Sequence, residues 1–232
     1  MTVVDLSLAV PPESSHQLDQ MLELLNPDER AHSTRFRRDE DRRTFITAHA
    51  LTRLGLSRHH PGISPNEWTF KKGPWGRPEP TNPGIGELRA NLSHTREMAA
   101  FVVADAVEVG VDVEYVTPDD WIYETIDTVL STDECTSLLR LDEESRRERF
   151  FLYWTLKESY IKARGLGISL PLTKISFAGS NSEGVVLDIE PGVDDNPTGW
   201  QFALFHPSPT VRGAVAARTG ELDLQSSWPT LR

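Results

Sequence analysis

Cysteine is almost missing from this chain: Cys135 is the only one in 232 residues. No intrachain disulfide can form, which predicts a reducing compartment, the cytoplasm. Cys135 also makes a poor nucleophile. It lies in Thr132-Asp133-Glu134-Cys135-Thr136, and acidic neighbours raise a thiol pKa. No apolar run approaches the ~20 residues that a membrane helix needs, so no membrane partner is expected. The opening Met1-Thr2-Val3-Val4-Asp5 has no basic lead and no long apolar core, and no signal peptide is read there. Positive charge is in deficit: 24 Lys and Arg against 35 Asp and Glu leave a net charge of −11. That argues against nonspecific nucleic-acid binding as the main task. It does not exclude an anionic ligand, because local charge decides that. The composition, 38% hydrophobic and 25% charged, predicts a soluble globular protein of one large domain or two small ones.

What the chain does have is a pair of acids on a patterned strand. In Val107-Glu108-Val109-Gly110-Val111-Asp112-Val113-Glu114, valine occupies every second position. Period-two patterning predicts a strand with one buried face. Asp112 and Glu114 then share the opposite face. Two carboxylates held that close repel unless a cation sits between them, and magnesium completed by water and phosphate suits such a pair. A solvent-facing edge pair is the plainer alternative. Downstream residues tip the balance. Phe150 to Ala163 has no breaker and favours helix, with Gly165 and Gly167 offering a stop. Trp154, Glu158 and Lys162 stand four apart, so they form one stripe. Glu158 can bring a third carboxylate to the ion. Lys162 can reach a phosphate oxygen or a leaving group. Lys157 points about 100° away from that stripe.

These residues carry a family resemblance. Gly110-Val111-Asp112-Val113-Glu114 followed by Trp154-Thr155-Leu156-Lys157-Glu158-Ser159-Tyr160-Ile161-Lys162 resembles the signature pair of the phosphopantetheinyl transferases. Upstream, Gly76-Arg77-Pro78 and Asn91-Leu92-Ser93-His94-Thr95 resemble two further motifs of its surfactin-type (Sfp-type) subgroup. Four fragments in the right order make a strong signal. The resemblance implies an α+β fold, a pseudo-dimer of two similar α/β subdomains over 1–106 and 107–232, with the active site in the cleft between them. It implies transfer of 4′-phosphopantetheine from coenzyme A to a serine of an acyl or peptidyl carrier protein. The reaction would use Mg2+, or Mn2+, and release adenosine 3′,5′-bisphosphate. Metal ligands would be Asp112, Glu114 and Glu158. Glu158 and Lys162 would be catalytic. Coenzyme A would meet Arg43, Arg77, Ser93, His94, Lys157 and Lys162. A monomer is implied, since both halves lie in one chain. A coenzyme A or carrier-binding module without activity, and a metal-dependent coenzyme A pyrophosphate hydrolase, are the competing readings.

The remaining pattern places these residues. Leu18, Met21, Leu22 and Leu25 have helical spacing that Asn26-Pro27 ends. A second helix is predicted from near Asp41 to Leu54, closed by Gly55. Trp68 to Lys71 reads as a short strand, Lys72 to Pro78 as turn, and Met98 to Ala104 as a buried strand. Pro118-Asp119-Asp120 is expected to cap a helix toward Leu130, and Ser131 to Glu134 to start another. A long helix follows from Glu144 to Ala163. Strands are predicted at Val185 to Ile189, Trp200 to Phe205 and Val211 to Ala217, with a frayed end. The basic cluster Arg30, His32, Arg35, Arg37, Arg38, Arg42 and Arg43 reads by itself as a salt-bridged helix face. The resemblance assigns part of it to the 3′-phosphate of coenzyme A. By family analogy, Ile126, Val129, Leu130, Leu138, Leu139 and Arg140 are candidates for the carrier surface, with a core role as the alternative.

Overall fold

The computed structural model describes residues 1–73, 77–117, 121–165, 167, 170–180 and 184–227. Three expectations therefore lie outside the described residues: Gly76 with the turn around it, the cap at Pro118-Asp119-Asp120, and the fraying of the last few residues. The chain forms two compact units. One is Val3–Val107 with the stretch from Asp223 onward; the other is Glu108–Leu222 with Met1–Thr2.

The first unit opens on β1 (Thr2–Ala9), whose Val4, Leu6 and Leu8 are buried. Three helices follow: α1 (Ser15–Leu24), α2 (Pro27–Ser33) and α3 (Asp39–His59). Asn26-Pro27 does end α1, and the same dipeptide starts α2. Asn26 accepts from the Glu29 backbone, Glu29 returns the bond, and Pro27 fills the first turn. Gly55 does not close α3, which runs one turn further, to His59. A Cβ at Gly55 would strike the ring of Phe101. The glycine is there for a close helix–sheet approach. Next come β2 (Phe70–Lys72), β3 (Pro78–Pro80), β4 (Leu88–His94) and β5 (Ala99–Asp105). β5 is buried from Ala99 to Ala104 and lies between β1 and β4, antiparallel to both.

The second unit is built around β6 (Val109–Tyr115). Helices α4 (Trp121–Val129), α5 (Thr132–Leu139) and α6 (Glu143–Arg164) follow. Ser131 and Glu134 form a capping box at the start of α5. Asp142 caps α6, and Gly165, at φ 61°, ends it in the left-handed region. Then come β7 (Ile175–Ser180), β8 (Gly184–Ile189), β9 (Gln201–Ser208) and β10 (Val211–Ala217), with sheets ordered β6-β10-β9 and β7-β8. The last described strand, β11 (Leu222–Ser227), completes the first unit's sheet in the order β11-β1-β5-β4. β1, β3, β4, β7 and β11 were not expected from the sequence.

Candidate active site

The position of α6 on β6 decides the geometry. Both faces of β6 are covered, not one: Val109 to Val113 are all buried. A Cβ at Gly110 would collide with the backbone of Ser159 and Ala163, lying 3.0 Å from Ala163 Cα. Gly110, Asp112 and Glu114 share a face by alternation, so α6 crosses that face. β10 helps by pairing small Ala216 with Gly110 and Ala214 with Asp112. The acids are thus turned toward the helix stripe.

Contacts follow from that docking. Lys162 Nζ lies 2.6 Å from Asp112 Oδ1. Trp154 Nε1 donates to Glu114 Oε1 at 3.1 Å. Glu158 sits one turn from each, between them on the helix. Trp154 packs against Phe150, with ring centroids 5.9 Å apart. Its indole N–H also orients a carboxylate, and the signal available was its place on the same stripe as Glu158 and Lys162.

Electrostatics mark the three acids as a group. Burial pushes the Glu114 carboxyl up to about 7, and Asp112 adds to it; Trp154 and Lys162 pull the other way, and Glu158 pushes up again. Burial and Asp112 also raise Glu158, against Lys162. Oxygen donors that repel one another are the donor set a hard divalent cation takes. The residues present fit magnesium in that chemical sense. They are not gathered to ligand spacing. Among the described residues, the three ligand-type side chains with donor atoms all within 4.8 Å of one another are His59, His60 and Asp105. At Asp112 the Lys162 ammonium supplies the neutralising charge instead.

Lys157, expected to meet coenzyme A, lies instead in the core. Its side chain is 1% exposed and pairs with Glu134 at 2.6 Å. Its ammonium also donates to the carbonyls of Val129, Leu172 and Ile175. Burial lowers its pKa, with Glu134 opposing. The lysine ties α6 to α4, to α5 and to the chain entering β7, and it offers nothing to a ligand. The helical angle from the stripe had already set it apart. Of the apolar carrier-surface candidates, Ile126, Val129, Leu130 and Leu138 are core. Leu139, 62% exposed, and Arg140 face solvent. Cys135 behaves as expected: burial, then Asp127 and Glu134, push its thiol up.

The other predicted residues lie in the first unit. Ser93 is buried near the end of β4, and His94 is its exposed last residue. Arg77 Nε donates to Ala90 O, also on β4, at 2.9 Å. Ser93 and His94 thus share the end of β4, and Arg77 is tied to its middle. Arg43 is partly committed, with Nε 2.5 Å from Asp39 Oδ2 and Nη1 on the carbonyls of Pro12 and Glu13.

The family model of the 4′-phosphopantetheinyl transferase superfamily matches residues 108–217, the segment holding Asp112, Glu114, Glu158 and Lys162. The chain is 30% identical over 211 residues to the 4′-phosphopantetheinyl transferase HetI of Nostoc sp. (strain PCC 7120 / SAG 25.82 / UTEX 2576), covering 88% of this chain and 82% of HetI. It belongs to the 4′-phosphopantetheinyl transferase family. This family member is also 28% identical over 167 residues to the transferase Sfp of Bacillus subtilis (strain 168), covering 71% of each chain. A putative transferase of Synechocystis sp. (strain ATCC 27184 / PCC 6803 / Kazusa), slr0495, matches at 28% identity over 66% of this chain and 61% of its own. Among the described residues, no helix is long and apolar enough to cross a membrane.

Proposed function

We propose that this chain transfers the 4′-phosphopantetheine group of coenzyme A to a serine of an acyl or peptidyl carrier protein, as a monomer, releasing adenosine 3′,5′-bisphosphate. The observation that carries the proposal is the docking of α6 on β6, which brings Glu158, Lys162 and Trp154 to Asp112 and Glu114. In the reaction, the serine oxygen attacks the pantetheine-side phosphorus and the bond to the bridging oxygen breaks. Asp112, Glu114 and Glu158 would hold a magnesium ion, which when bound neutralises charge on the pyrophosphate. Glu158, whose carboxyl burial and Asp112 raise, would take the serine proton. Lys162 donates to the leaving phosphate. Arg77, Ser93 and His94 bind coenzyme A phosphates, and Arg43, whose side chain is 24% exposed, meets the 3′-phosphate. Leu139 and Arg140 are the exposed carrier contacts.

The test is incubation with coenzyme A, magnesium and an apo carrier protein, followed by weighing the carrier. A gain of one phosphopantetheine is expected. An unchanged carrier with intact coenzyme A would favour a binding module, and coenzyme A cleavage without carrier a hydrolase. Asp112→Ala should lower transfer by at least ~10²-fold, the scale of losing one fixed electrostatic group. It should keep a native circular dichroism spectrum, because the abandoned Lys162 is 28% exposed and reaches water. Full rate in that variant would remove the site assignment.

A further inference from the structure

Helix α3 ends at His59, and His60, its C-cap, leaves helical geometry at φ −122° and ψ 82°. The two imidazole centroids stand 5.4 Å apart. Asp105, the last residue of β5, lies beside them, and one donor atom from each of the three lies within 4.8 Å of the others. His59 Nε2 is 3.2 Å from Asp105 Oδ1. That is about the ligand-to-ligand edge of a tetrahedron with donors roughly 2.0–2.2 Å from zinc. His59 Nδ1 is 2.7 Å from Asp5 Oδ2 on β1. A carboxylate on the far nitrogen of a ligating imidazole fixes its tautomer and turns the other nitrogen to the metal. His60 Nε2 supplies a second, independent sign: it is buried and has no hydrogen-bond partner among the described residues. Buried polar atoms are rarely left so. The His60 ring packs edge-on to buried Trp68. The Asp105 side chain is 71% exposed, which gives an ion a path from solvent.

We propose that His59, His60 and Asp105, oriented by Asp5, form a binding site for a divalent transition metal such as zinc. Two imidazoles and one carboxylate make a borderline donor set, unlike the oxygen-only set of Asp112, Glu114 and Glu158. A bound ion would clip the end of α3 to β5 and, through Asp5, to β1. The competing description is a protonated His59 clamped between two carboxylates. Burial lowers its pKa, but Asp5 and Asp105 outweigh that and hold it above the ordinary range.

Calorimetric titration of the chelator-stripped full chain with zinc chloride, in excess magnesium, separates the two. One zinc per chain is expected. His60→Ala and Asp105→Asn should each weaken binding more than ~10-fold, and Asp5→Asn by ~10–100-fold, as for other outer-shell partners. Asp112→Ala should leave zinc affinity unchanged. Cobalt should give the intense visible bands of a four-coordinate ion in the wild type and lose them in His60→Ala. Asp105→Asn alters an exposed side chain, so it decides the matter if His60→Ala does not fold. No zinc uptake by the wild type, or equal affinity in the wild type and Asp105→Asn, would overturn the proposal in favour of the clamp. Phosphopantetheine transfer in magnesium should be untouched by Asp105→Asn, so this outcome is independent of the transferase reading.

Discussion

Trp154 contributes by a single hydrogen. A carboxylate as buried as Glu114, already repelled by Asp112, needs a neutral donor to hold its direction without competing for its charge, and an indole N–H does this. Trp154→Phe keeps the ring and deletes the donor. Transfer should fall by ~10–100-fold, the usual effect of losing a group that orients a metal-binding carboxylate, while the melting temperature moves little. Unchanged kcat/KM would make Trp154 packing only. Lys157 is the opposite case. The next residue, Glu158, belongs to the candidate site, yet the Lys157 ammonium sits in the core against Glu134 and three carbonyls. Lys157→Ala strands a buried carboxylate and should cost about 3–5 kcal/mol of stability, read by urea unfolding. The KM for coenzyme A of the folded enzyme should not change.

At the scale of elements, the interlock of β6 and α6 rests on Gly110. Gly110→Ala pushes a methyl into the backbone of Ser159 and Ala163. Overpacking of this kind costs about 1–3 kcal/mol. Here it also lifts Glu158 and Lys162 off the strand. Transfer should fall further than stability does, a split that paired melting and rate measurements would expose. A variant with wild-type rate would mean that the helix stands where it does for other reasons. The sequence made this interlock partly legible. Alternating valines identified the strand, and spacing by four identified the helix stripe. Gly55 misled, because a helix stop is a commoner use of glycine, as at Gly165. Gly55 and Gly110 are instead places where a helix backbone or an aromatic ring comes too close for a side chain, and only tertiary contact reveals that.

Across the whole molecule, charge buried in both units sets the response to acid. Burial alone would raise Glu29, but bonds from His49, Arg53 and Asn26 take it down to about 2 from 4.5. A lowered carboxylate stabilises the fold above its unfolded pKa, and that stability is lost as pH falls toward the folded value. The shift is worth about 3 kcal/mol at roughly 1.4 kcal/mol per unit. Glu114, raised to about 7, acts in the reverse sense: its protonation favours the folded state as pH drops from 7 to 4.5. Urea midpoints in magnesium-free buffer should therefore rise from pH 7 toward 4.5 and fall below it. Glu29→Gln should flatten only the acid limb, and a monotonic profile would contradict the assignment. Such long-range matters were the least legible in sequence. β1 carries clean alternation at Val4, Leu6 and Leu8, but its partners β5 and β11 lie far along the chain. Arg53, fully buried on Glu29 and two carbonyls, gives no sign in sequence that it is not another surface arginine.

Trp154, Glu158 and Lys162 hang from one uninterrupted helix, so their spacing is set by its pitch. One residue inserted between 154 and 162 would swing everything beyond it by about 100° and separate the groups that now face Asp112 and Glu114. The same insertion before Asp142 or after Gly165 would leave their mutual geometry alone. Length changes among homologues of this chain should therefore collect at the two ends of α6 and spare its interior.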